Sequence, residues 1–517
     1  MVESLVVETV GGFVKGVLDD SIPAFFGIPF AAPPIGPLRW AAPAPPLPWA
    51  GVRAAASPGP IAPQLATRLD SVYGGVGAAP QSEDCLTLNL WTPAIDRARR
   101  PVLVFIHGGG FEAGAGSLAG YSGHELVRSG DIVVVTFNYR LGVLGWAYLP
   151  ELAPETPSNV GLLDQIAALQ WVRDNIAQFG GDAGNVTVAG QSAGATSIML
   201  QLSREEAPLF RRAIVHSCPF GAELRTIEAA GRSVRELADS LGVGVDRLRE
   251  VAAESLVAAA GKVRMPGTVM DGLVRPFSPV RDGILLDREL GDPMSATRSA
   301  RVDLLLGTAR EEVSAFVALS PVAQRVDERF ARQLLRMMHG DAGQTLYSTY
   351  AAQRPGCLPI DVIQDVLTDR YFRMGTIRHA ELRAKAGSPA FLFQFDWQSP
   401  ALGGVLRACH CLDLPFAFGN PRRWSSAPMM QDANPPFVEA LAKVVSGAWT
   451  AFSRTGDPNH DAIPHWAPYR LPGRNTMLFD VQVRATRDPT AGLRSLWAPS
   501  RPVAAAPNAE TVRLQVR

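Results

Sequence analysis

The chain has 517 residues, 47% of them hydrophobic and 19% charged, and its 49 basic side chains balance its 49 acidic ones. That neutrality excludes the electrostatic footprint of a nucleic-acid or acidic-membrane partner, and the composition is that of a globular enzyme acting on a small molecule. No run of eighteen apolar residues would span a bilayer, and the opening Met1-Val-Glu-Ser-Leu-Val-Val-Glu phrase does not read as a signal peptide. Five cysteines, odd in number and scattered, fit a reducing compartment better than a disulfide framework, so a cytoplasmic location is expected.

Taken in order, residues 5–17 alternate apolar with Gly and charged positions, which predicts hairpins. A proline-fixed loop follows, and residues 41–80 keep enough apolar and aromatic side chains to read as an ordered surface loop rather than a linker. Residues 101–107 and 131–138 are continuous β-branched and apolar runs, the pattern of central strands covered on both faces. Between 162 and 179 apolar residues recur three or four apart (Leu162, Ile166, Leu169, Val172, Ile176, Phe179), predicting an amphipathic helix closed by Gly180 and Gly181. Further strands are expected at 213–215, 302–306 and 391–395, with helical segments at 227–262, 330–338 and 438–452. This alternation is that of a doubly wound α/β fold. Residues 499–507 read as linker and 511–516 as one more edge strand.

The chemistry centres on residues 185–203, an apolar run that enters a small-residue turn and leaves as a helix. Gly190-Gln191-Ser192-Ala193-Gly194 matches Gly-x-Ser-x-Gly, in which the serine occupies a strained strand-to-helix corner and the glycines are steric requirements. A serine hydroxyl needs a base, and the base needs an acid that fixes its tautomer. Of eight histidines, His410 has the expected place, after the nucleophile and beyond a strand; His107, His216, His460 and His465 read as structural or surface residues. For the acid the residues leave Glu312 and its neighbour Glu311 open, with Glu312 preferred. Gly108-Gly109-Gly110, directly after a strand, offers backbone N–H groups to an oxyanion, and Ala193 offers another.

These phrases resemble the type-B carboxylesterase and cholinesterase family of α/β hydrolases, particularly bacterial para-nitrobenzyl-esterase-like carboxylesterases. The resemblance rests also on Phe26-Gly-Ile-Pro-Phe30, Ser82-Glu-Asp-Cys-Leu86, Phe137-Asn-Tyr-Arg-Leu-Gly142, the phrase from Asn175 to Asp182, and that from Trp449 to Asn459. It implies a Ser192–Glu312–His410 triad with Gly109, Gly110 and Ala193 as oxyanion donors, and no metal or organic cofactor. Three departures stand out. Ala62 takes the place of a cysteine that relatives pair with the one at Cys85, leaving Cys85 a free thiol. The His-Gly-x-Glu pattern around the base becomes His410-Cys411-Leu412-Asp413, and Ala309 replaces an Asn of the acid loop. No Trp lies between Ala62 and Cys85 to face a quaternary ammonium, although Tyr73 could offer a poorer surface.

The expected architecture is an α/β-hydrolase fold: a large, mostly parallel twisted sheet flanked by helices, with N-terminal β hairpins and a helical cap. All 517 residues are expected to form one catalytic domain. Hairpins and loop occupy about 1–95, the catalytic core about 100–225 and 300–517, and helical insertions about 226–299 and 320–385. The expected activity is ester hydrolysis through an acyl-enzyme, in a monomer or homodimer. Amidase or carbamate hydrolase activity is the alternative on the same machinery; a non-catalytic adhesion homologue is disfavoured because every triad position is filled.

Overall fold

The computed structural model describes residues 5–150, 152, 155–263, 275–320 and 323–497. Its frame is an eleven-stranded sheet. Across the sheet the strands run Arg484–Arg487, Asn475–Phe479, Phe391–Phe395, Asp303–Ala309, Arg212–His216, Gly181–Gln191, Arg100–Ile106, Val133–Phe137, Thr87–Trp91, Ile22–Pro29 and Val17–Asp19. The block from Asn475–Phe479 to Val133–Phe137 is parallel throughout, and antiparallel strands close both edges.

The apolar runs become central strands for a physical reason. Successive side chains of a strand point to opposite faces, so a strand covered by helices on both sides must be apolar at every position. Val102, Val104 and Ile106 pack in one buried cluster and Leu103 and Phe105 in another, on opposite faces of the sheet. The helix Val160–Asn175 ends in a 3₁₀ turn, Ile176–Phe179, and stops at Gly180, whose φ of 78° is left-handed as expected of a C-cap glycine. It also buries Asp164 and Gln165. The hydrophobic stripe alone gives no hint of that, because Asp164 is held by Arg140 through a two-pronged ion pair within the fold.

The N-terminal hairpin forms from Val6–Thr9 and Gly12–Lys15, and residues 41–80 are an ordered loop that adds the strand Val52–Ala54 to it. The insertion after residue 226 is helical, with Ile227–Leu241 and Ala253–Ala260; Glu328–His339 and Pro435–Thr455 form where helices are predicted. Two details differ. The strand expected over 302–306 runs from Asp303 to Ala309, and Asn475–Phe479 with Arg484–Arg487 extends the sheet where the sequence shows only short, mixed runs. The segment around Cys409 and Cys411 forms a turn, with Cys411 at φ 72°. Residues 499–507 and 511–516 lie outside the described residues.

Candidate active site

Register brings the reactive segments to one edge. Ile106 pairs with Gly190, Gly190 with Val215 and Val215 with Leu306, so four neighbouring parallel strands finish at the same level. Loops leaving the carboxyl ends of such strands meet in one crevice. The glycine loop, Ser192 and the acid loop all start there.

Ser192 sits between the strand Gly181–Gln191 and the helix Ala193–Ser203 with φ 57° and ψ −119°, a conformation that L side chains rarely adopt. Its own N–H is held by the carbonyl of His216 at 2.9 Å, and its carbonyl takes the Thr196 N–H at 2.8 Å. The flanking glycines have no room for a side chain: a Cβ on Gly194 would stand 2.0 Å from the Ile106 carbonyl oxygen, and one on Gly190 would stand 2.7 Å from the backbone of Gly194. Strain at a single serine, fixed by such crowding, is the mark of a corner kept for function.

The glycine loop passes directly alongside. The position of a Gly108 Cβ lies 3.2 Å from the Ser192 Cβ, and Gly109 and Gly110 take φ of 114° and 63°. No protein carbonyl accepts from the N–H of Gly109 or Gly110 among the described residues, and the Ala193 N–H, first of its helix, has no partner within the helix. His107 is buried and stacked on Tyr139, whose hydroxyl donates to the His107 carbonyl at 2.9 Å. Burial pushes the His107 imidazole down to about 4, so it is neutral near pH 7.

Glu312 and His410 are fully buried and meet: His410 Nδ1 is 2.5 Å from Glu312 Oε2. The other carboxylate oxygen, Oε1, accepts the Ala309 N–H at 2.7 Å, so a backbone amide orients the acid from the position where the resemblance implies an Asn. Backbone bonds join the two loops, from Glu311 N to Ala408 O at 3.0 Å and from His410 N to Glu312 O at 3.3 Å. The rings of Phe316 and Phe372 lie 5.3 and 5.2 Å from the imidazole and shield the pair from water. Glu311 turns the other way, towards Arg354 at 3.0 Å and the Ala408 N–H at 3.2 Å.

Ser192 and His410 are not joined by a hydrogen bond. With Nδ1–H directed at Glu312, His410 Nε2 is an acceptor, and the Gln191 side-chain amide donates to it at 3.0 Å. Sequence reasoning missed this contact, although Gln191 is the variable residue of the motif itself. It also missed a second buried pair. His216 Nδ1 lies 2.6 Å from Asp413 Oδ2 while Trp449 donates to His216 Nε2 at 2.7 Å, so His216 and Asp413 tie the base loop to the strand next to Ser192. Asp413 is thus a tether in the changed His-x-x-Asp phrase. Tyr73, considered for a cation surface, is buried and faces the Thr67–Asp70 turn instead.

Against known proteins, the Carboxylesterase family profile matches residues 3–494. The phenmedipham hydrolase of Pseudarthrobacter oxydans is 38% identical over 91% of this chain and 94% of its own. The para-nitrobenzyl esterase of Bacillus subtilis is 33% identical over 96% and 99% respectively. The crystal structure of the Geobacillus stearothermophilus carboxylesterase EST55 superposes with a TM-score of 0.84 at 33% identity, covering 96% of this chain and all of that one. The sheet and its loops are those of an α/β hydrolase, in the class of carboxylic ester hydrolases. The chain belongs to the carboxylesterase family.

Proposed function

We propose that the protein is a serine carboxylesterase whose nucleophile, base and acid are Ser192, His410 and Glu312. The observation that carries this reading is the strained Ser192 set against a glycine loop with unengaged N–H groups, at the same strand edge as the buried His410–Glu312 pair. In the proposed cycle Ser192 Oγ attacks the ester carbonyl carbon while its proton passes to His410 Nε2. Gly109, Gly110 and Ala193 donate to the developing oxyanion, Glu312 stabilises the imidazolium, and the alcohol leaves with the proton. Water then repeats the sequence on the acyl-enzyme, releasing the acid and restoring Ser192. Before this, Gln191 must yield Nε2 to the serine hydroxyl.

The same machinery serves amide and carbamate bonds, so a panel of esters, amides and carbamates of graded acyl length defines the scope. Because the Gly109, Ser192, Glu312 and His410 segments converge, we take the chain as one catalytic domain with the helical insertions as its cap. Five unpaired cysteines support a reducing, cytoplasmic setting. The test is labelling with a fluorophosphonate probe. A single adduct at Ser192, abolished by Ser192→Ala together with a loss of about 10⁵- to 10⁶-fold in turnover, is expected; folded protein that neither labels nor hydrolyses any ester would refute the reading.

A further inference from the structure

A charged pair beside the glycine loop, Arg275 with Glu112, has no part in this cycle. A cavity of about 300 Å³ opens beside the glycine loop, walled by Val143, Val257, Phe277 and Phe316, the last being the ring that packs on His410. Arg68 and Arg275 line it together with one carboxylate, Glu112, so among the described residues its charge is net positive. Arg275 lies against the proposed oxyanion loop, its Nε 3.5 Å from the place a Gly110 Cβ would take.

The pair is loosely made. Arg275 Nε and Glu112 Oε2 are 3.2 Å apart, with the side chains 24% and 26% exposed. Yet Nε is buried without a hydrogen-bond partner of good geometry. Burial pushes the Glu112 carboxyl above its ordinary range, against the pull of Arg275. An ion pair meant only to tie two loops would be sealed and directed, because guanidinium and carboxylate match in a two-pronged fork. Here the fork is left facing an apolar-walled cavity. The occupant that satisfies both features is an amphipathic anion, an apolar body ending in a carboxylate.

Resting on the hydrolase reading above, we propose that this cavity selects esters carrying a carboxylate on the part that enters it. Arg275 is then the specificity-determining residue, and Glu112 holds its guanidinium in place until the substrate carboxylate takes the open face. Two matched pairs of esters test this and tell which side of the ester bears the charge: mono(4-nitrophenyl) adipate against 4-nitrophenyl hexanoate, and 4-(hexanoyloxy)benzoate against phenyl hexanoate. The enzyme is expected to prefer the charged member of at least one pair. Arg275→Gln should reduce that preference by about 10- to 100-fold, through KM more than kcat, as loss of a charge-assisted contact requires, and Arg275→Lys should restore part of it. Should Arg275→Gln not fold, ionic strength gives the same information on the unaltered enzyme: added salt raises KM for the charged ester and not for the neutral one. Turnover of the neutral esters with no preference in either pair, or an equal loss on both members of a pair in Arg275→Gln, overturns the assignment and leaves the hydrolase reading standing. Turnover of none of the four overturns both.

Discussion

Two adjacent glutamates, both fully buried, show how one residue of displacement separates chemistry from support. Glu312 faces an imidazole and a backbone amide, while Glu311 faces Arg354 and the amide of Ala408. Glu312→Gln should therefore lower kcat by about 10³- to 10⁴-fold with little change in melting temperature, because a carboxamide cannot stabilise the imidazolium and can select the wrong tautomer. Glu311→Gln takes from Arg354 one of its two carboxylates, leaving Asp365, and should cost about 2 kcal/mol in stability, discounted because Arg354 is partly exposed, with a much smaller loss in kcat. Steady-state kinetics and melting curves on the two variants decide; the reverse pattern would transfer the acid's role to Glu311. Gln191 belongs to the same scale. Its amide competes with the Ser192 hydroxyl for one nitrogen, so Gln191→Met should speed phosphonylation of Ser192 by about fivefold, the worth of one neutral hydrogen bond. Slower labelling would show that the amide instead holds the ring in place.

At the level of elements, the helix Pro359–Thr368 carries a carboxyl into low dielectric below the acid loop. Asp365 lies 3.2 Å from Arg354 and is about a fifth exposed (19%), and desolvation lifts its carboxyl from 3.8 to about 6 despite that arginine. A raised carboxyl binds more protons folded than unfolded between those two values, so this group subtracts stability as pH climbs from about 4 through 6. Asp365→Asn has no charge to desolvate. Its unfolding free energy relative to the unaltered protein, read from melting curves, should rise across that window and level off above it, by on the order of 1 kcal/mol once solvent screening is allowed for. A difference that stays flat from pH 4 to 7 would mean that the Arg354 pairing offsets the desolvation in full. Elements were also where sequence was most and least legible. The strands around Ser192 announce themselves because two-sided burial forces every position to be apolar. Arg484–Arg487 does not, since it is an edge strand and largely exposed, and Asn475–Phe479 does not because, although interior and buried, its run opens on Asn475 and Thr476 and leaves only three apolar residues in a row. In the site, Ser192 and the glycines were readable because sterics dictate them, whereas the Gln191, Asp413 and Arg275 contacts join residues far apart in the chain and leave no local pattern.

Across the whole molecule, the question is what holds the loop between Ala62 and Cys85 without the disulfide that the resemblance associates with it. Such a link would be worth roughly 3 kcal/mol for a loop of this size in the chain-entropy view. Both positions are instead buried in the main core, at 2% and 0% exposure, and all five cysteines are unpaired. The replacement is polar and reciprocal. Gln64, itself buried, donates to the Gly114 carbonyl at 3.0 Å and accepts the Gly114 N–H at 2.7 Å, which clamps the loop onto the chain just beyond the proposed oxyanion segment. Gln81 accepts the Gln64 N–H at 2.8 Å, and the two ends of the loop pair as a bridge between Ile61 and Gln81. Reductant should then leave the melting temperature and esterase activity unchanged, whereas Gln64→Ala, which orphans two buried backbone groups, should cost about 2–3 kcal/mol. Thiol titration completes the test. Burial pushes the thiols of Cys85, Cys218, Cys409 and Cys411 upward and shuts them from reagent, while Cys357 is only half-buried. About one thiol should react in the native protein and all five after denaturation. Fewer than five in denaturant, with a melting temperature that falls on reduction, would restore a covalent staple and remove the support for a reducing compartment.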